Sequence, residues 1–234
     1  MTNRLISTIG CDLRLQVRNG FYYAAAFVAL FWILALSRIS PEHLTLWMPV
    51  LILSNLLINT FYFMAGLVLL EKAEGTLMAQ RVTPLQVWEY LISKVVTLTL
   101  LTVCESFLIV LFGYGPTFEA IALLLGIISS AVLLVLVGFL FVIRYDSINE
   151  FLIPSFVFFL IFVPPFLSYF GLIGSWLIYL HPIQGSLLLT QGAFGRIENW
   201  QLWYSLLYSM LWSGIVLFLS RHTFERFVIA TEGE

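Results

Sequence analysis

Charge is what this sequence has least of. Of its 234 residues only 10% are Asp, Glu, Lys or Arg, against 61% hydrophobic ones, and the mean hydropathy is +0.99. A domain dissolved in water needs about a quarter of its residues charged to solvate its surface, so a globule in water is excluded. The net charge of -2 offers no basic field for nucleic acid. Two cysteines, Cys11 and Cys104, cannot frame a disulfide-stapled fold, and Cys104, deep in an apolar run, is expected to be a small buried side chain. The three histidines are scattered, and neither His-Glu-x-x-His nor Gly-x-Ser-x-Gly occurs, so metal-dependent and serine hydrolysis have no support. A phosphate-cradling glycine loop ending in Lys-Ser/Thr is also missing; Gly113-Tyr114-Gly115-Pro116 is too short and has no lysine. Nor does the beginning look like a cleaved signal, because Arg4, Asp12, Arg14 and Arg18 interrupt any apolar core.

What is present is a series of apolar runs. About 20 apolar residues in helix cross a hydrocarbon core, since the rise is roughly 1.5 Å per residue and lipid cannot satisfy open backbone. Runs at 21–36, 46–70, 91–112, 120–143, 151–169 and 203–219 predict six transmembrane helices, the first a little short. Residues 1–20 predict an amphipathic helix in the membrane plane, Ile6, Ile9, Leu13 and Val17 on one face and Arg4, Ser7, Arg14 and Arg18 opposite. A plain cytoplasmic extension of the first span is the alternative. The fold class is thus all-α integral membrane, with residues 1–234 read as a single transmembrane domain.

Orientation follows from Lys and Arg. With the N-terminus inside, the cytoplasmic side holds Arg4, Arg14, Arg18, Lys72, Arg81, Lys94, Arg144, Arg221 and Arg226, and the outer side only Arg38 and Arg196. Both termini are then cytoplasmic in a multi-pass protein of the cell (inner or plasma) membrane. Residues 171–199 are ambiguous: 172–180 and 183–194 are each too short to span, so short re-entrant helices on the outer face are preferred over a seventh crossing. Pro164-Pro165 should bend or end the fifth span, and His181-Pro182 should shape the outer turn.

Residues 71–90 form the sizeable charged connection on the cytoplasmic side. Gly75 should break the helix leaving the membrane, Leu77, Met78 and Val82 give a short apolar face, and Thr83-Pro84 can start the next helix. Such a segment suits docking of a soluble partner or simple contact with headgroups. Its pattern, Glu71-x-x-Glu74-Gly75-Thr76-Leu77, then Val82-Thr83-Pro84-Leu85, then Glu89-Tyr90-Leu91-x-x-Lys94, resembles the loop between the second and third spans of type 2 ATP-binding cassette (ABC) transporter permeases. The order of in-plane helix, six spans and outer re-entrant helices is similar throughout the chain. The resemblance implies an exporter permease, with no cofactor of its own, whose coupling surface (Glu71, Glu74, Gly75, Thr76, Val82, Thr83 and Pro84) rests on a separate soluble ATPase subunit. That partner would bind ATP and Mg, and the in-plane helix with Arg4, Arg14 and Arg18 would pack nearby. It further implies a second permease chain, identical or related, in contact with membrane lipid. Family members export drugs, lipids, polysaccharides and peptides.

Polar groups inside the spans nominate a translocation path. Glu105 lies well within the third span, where a carboxylate costs a few kcal/mol and should face protein or water; a neutral Glu bonding Ser or Thr of a neighbouring helix is the structural alternative. Asn55 and Asn59, one turn apart, are either helix glue or substrate contacts. Phe159 and Phe162, in an aromatic stretch with Phe156, Phe158, Phe166, Tyr169 and Phe170, suit an apolar cargo or plain packing. Gly126 and Ser130 permit a close helix contact, within one chain or between two. A self-contained secondary carrier is the competing reading, disfavoured because the two halves show no internal repeat.

Overall fold

All six apolar runs are helical in the computed structural model, which describes residues 2–79, 85–195 and 197–229. The helices are α1 (Thr2–Arg18), α2 (Phe21–Leu36), α3 (Pro41–Ala73), α4 (Thr76–Ala79), α5 (Val87–Gly113), α6 (Ala120–Val142), α7 (Ile148–Phe159), α8 (Val163–Tyr169), α9 (Gln184–Phe194) and α10 (Asn199–Phe224). Among the described residues there is no strand. Among the described residues five units are long and apolar enough to cross a bilayer: α3, α5, α6, α7–α8 together, and α10. The sixth, α2, has 16 residues, roughly 24 Å of helix, short for a core of about 30 Å. It meets α1 at 63°, the turn being made at Gly20, whose φ of +80° suits glycine. The chain is an all-α, multi-pass membrane protein.

The bundle is centred on α3 and α6, which pack on each other; α5 and α9 pack on both, and α10 on α6 and α9. Close approaches use small residues, as expected where lipid supplies no hydrophobic drive. A Cβ on Gly138 would lie 3.1 Å from the Phe61 carbonyl, and one on Gly126 only 2.9 Å from the Thr190 backbone nitrogen. The small-residue face on α6 therefore holds α9 of the same chain, which settles the Gly126 contact as internal. Gly185 of α9 approaches Ser205 and Ser209 of α10 just as closely. Almost every side chain of α9 is buried, so this short helix sits within the bundle.

Pro164 and Pro165 break the fifth span one turn earlier than they stand. A 3₁₀ turn, Leu160–Phe162, precedes α8, whose first turn they occupy. In an unbroken helix the Ile161 carbonyl would accept from residue 165, and proline has no N–H to give. His181 supplies the missing donor from the turn before α9, Nε2 to Ile161 O at 2.8 Å, while Nδ1 accepts from the Ile183 N–H at 3.3 Å. Those two roles define one neutral tautomer. Burial lowers the His181 pKa, the bond to Ile161 acting in the opposite sense. The adjoining 3₁₀ segment Trp176–Leu180 is clasped by α10, where Tyr204 and Tyr208 donate to the carbonyls of Tyr179 and Leu180.

One sequence expectation fails here for a physical reason. Cys104 is exposed on α5. An apolar run inside a bilayer does not require burial in protein, because lipid receives a small apolar side chain equally well.

Candidate functional site

One end of the bundle is built from α1, the end of α3 and the start of α5. Lys94 is fully buried, and its Nζ lies 2.5 Å from Asp12 Oδ1 and 2.5 Å from Glu71 Oε1. The second oxygen of Asp12 accepts from Ser93 Oγ, and that of Glu71 from Tyr90 Oη at 2.7 Å. Two acids, one base and two hydroxyls thus leave no carboxylate oxygen unpaired. One turn further along α1 and α5, Gln16 Nε2 donates to Thr97 Oγ1 at 2.9 Å. The helix α1 therefore has three faces: Arg4, Arg14 and Arg18 are exposed, Ile6 and Val17 are exposed on the apolar side, and Asp12 and Gln16 are buried against α5.

The segment after α3 is tied down on both sides. Gly75, at φ +70°, ends the helix, with its N–H bonded to Lys72 O at 3.0 Å. Lys72 Nζ donates to the carbonyls of Ile143 and Tyr145, each at 2.7 Å, and meets Asp146 at 3.0 Å, closing the C-terminal end of α6. Arg18 pairs with Glu74 at 2.7 Å on the surface. Glu74, Gly75 and Thr76 are exposed, whereas Glu71 is buried. Glu71 therefore supports the predicted docking surface from beneath. Leu77 likewise turns inward, into an apolar cluster with Tyr90, Phe139 and Phe224, and so does not form the exposed apolar face expected of it. Val82, Thr83 and Pro84 lie outside the described residues. The third span starts at Val87, where Glu89 Oε2 accepts from the Gln86 N–H at 2.9 Å.

The residues nominated within the bilayer divide into two places. Asn59 and Asn55 of α3 donate to Glu105 Oε1 of α5 at 2.6 and 3.2 Å, and Trp32 Nε1 of α2 donates to Asn55 Oδ1 at 2.9 Å. Glu105 thus bonds two amides of α3, not a hydroxyl, and Trp32 adds a third helix that the sequence reading missed. Phe159 and Phe162 stand elsewhere, in a groove of about 550 Å³ between α3 and α7–α8, lined also by Ser54, Ile58, Tyr62, Phe156 and Phe166. Tyr62 and Ser155 share a hydrogen bond of 2.9 Å that ties α3 to α7 beside it. Phe158, by contrast, stacks inward on Phe61 and Phe141.

Residues 3–232 match the fluoroquinolones export permease protein family. Fluoroquinolones export permease proteins of two Mycobacterium tuberculosis strains, CDC 1551 / Oshkosh and ATCC 25618 / H37Rv, are each 29% identical over 233 residues, covering 98% of this chain and 98% of theirs. That match agrees with the exporter permeases that the loop motif resembles. The chain belongs to the fluoroquinolones export permease protein family.

Proposed function

We propose that the chain is the membrane-spanning subunit of an ATP-driven ABC exporter, moving a hydrophobic, drug-like or lipid-like substrate out of the cytoplasm. The groove between α3 and α7–α8 carries this reading. Its size and its almost wholly aromatic and aliphatic lining suit a planar aromatic drug, and the relatives' names specify fluoroquinolones. Stacking and burial would bind such a cargo without a matched polar partner. A second permease chain facing the groove would enclose the path.

ATP is bound and hydrolysed, with Mg, by a separate soluble subunit. The exposed Glu74-Gly75-Thr76 turn is its docking surface, with Val82-Thr83-Pro84 completing it. This turn and both termini face the cytoplasm, a reading supported by the bias of Lys and Arg. The Asp12–Lys94–Glu71 triad beneath the turn ties the in-plane helix to the second and third spans, so a push on the turn would move these helices together. The test is uptake of a fluoroquinolone into inside-out vesicles containing the chain and its ATPase subunit. Uptake should require ATP and both proteins. Uptake that persists without ATP would replace this reading with a self-contained carrier.

A further inference from the structure

Behind the polar network of Glu105, away from the aromatic groove, lies a second cavity of about 220 Å³ between α2 and α5. Its walls are Tyr22, Ala25, Ala29, Leu101, Cys104 and Leu108, with Ala26 at the exposed side and Glu105 as its acidic group. Three alanines on one face of α2 make the space. Glu105 is itself 3% exposed. Its Oε1 accepts from both asparagines, which fixes the carboxyl group, while Oε2 has no hydrogen-bond partner among the described residues.

We propose that this cavity is a binding site, reached from the bilayer, for an ammonium group on a slim apolar body, with Glu105 Oε2 as its acceptor. An ammonium donates N–H to the oxygen the asparagines leave unpaired. It also brings the opposite charge to a carboxyl group that has only amides beside it. The alanine and leucine walls accept an alkyl or aryl chain. Glu105 lies about eleven residues from Lys94 and eight from Gly113, well inside α5. A phospholipid amine could reach it only by dragging its phosphate into hydrocarbon, which favours a free amphiphilic amine. This inference stands independently of ATP coupling and of the groove's cargo.

The experiment uses the purified chain in nanodiscs of phosphatidylcholine at pH 7, with octylamine as probe and octanol as its neutral match, read by thermal unfolding over a titration. Octylamine should raise the midpoint saturably and octanol should not. In Glu105→Gln, which keeps an acceptor for the asparagines, octylamine should bind about tenfold weaker or worse. Ala26→Leu, on an exposed position that tolerates size, should also lose the shift while Glu105 is untouched. Equal octylamine shifts in wild type and Glu105→Gln, or an equal shift with octanol, would overturn the proposal. Loss of the shift when phosphatidylethanolamine replaces a third of the lipid would assign the site to a headgroup and overturn it as well.

Discussion

Glu71 and Glu105 are both buried carboxyl groups that bridge the second and third spans, yet their surroundings differ in kind. At the α1 end of the bundle, Glu71 shares Lys94 with Asp12, and Tyr90 and Ser93 satisfy the remaining oxygens. Roughly 18 Å further along α3, by helical rise from Asn59 to Glu71, Glu105 has two amides on one oxygen and, among the described residues, no partner on the other. The first site is complete in its hydrogen bonds: every carboxylate oxygen has a donor, one ammonium serves both acids, and three helices are locked together. The second is fixed in geometry and open in chemistry. Burial alone does not distinguish a structural acid from a binding one; the inventory of partners does.

The sharpest way to break this contrast is Lys94→Met. It strands two buried acids beside each other, and removing one partner from a buried ion pair costs about 3–5 kcal/mol. The variant should lose monodispersity or unfold at much lower temperature in detergent. Adding Asp12→Asn and Glu71→Gln should restore most of the loss, because a whole buried ionic cluster can be neutralised at little cost. Failure of that rescue would mean that Lys94 acts through something other than charge compensation.

Glu105→Gln should behave oppositely. With an acceptor for Asn55 and Asn59 retained, the stability change should stay within about 1 kcal/mol, measured by the same unfolding assay. A collapse as large as that of Lys94→Met would erase the difference between the two acids.

The sequence showed much of this chain, and its silences have physical causes. Run 21–36 coincides with α2, the Pro164-Pro165 break is real, and the segment 171–199 contains the short helix α9. Helical periodicity also placed the arginines and the aliphatic residues of α1 on separate faces. It could not identify the third face, because a stripe of Asp12 and Gln16 has no hydropathy signature and has meaning only beside Lys94 and Thr97, some eighty positions away. Glu71 and Lys94 belong to the charged loop motif in the sequence, and a charged residue near a span end normally faces water. Only the meeting of three charges removes them from solvent. For Cys104 the difficulty is general: in a bilayer an apolar residue can face either lipid or protein, so hydropathy cannot say which.

Smallest of the expected effects is that of the surface pair. Arg18 and Glu74 are both partly exposed, so Arg18→Ala should cost no more than a few tenths of a kcal/mol. That is roughly a tenth of the buried lysine's effect, and raised salt should diminish it. Because Glu74 also belongs to the proposed docking surface, Glu74→Lys should weaken ATPase association in a pull-down more than Arg18→Ala does. Equal losses would reduce Glu74 to an anchor for α1.

The most direct measurement is fluoroquinolone-stimulated ATP hydrolysis by the complete complex with Phe159→Ala and Phe162→Ala combined in the groove. Basal hydrolysis and assembly should be retained while stimulation by the drug is lost. Stimulation equal to wild type would contradict a cargo path along α3 and α7–α8.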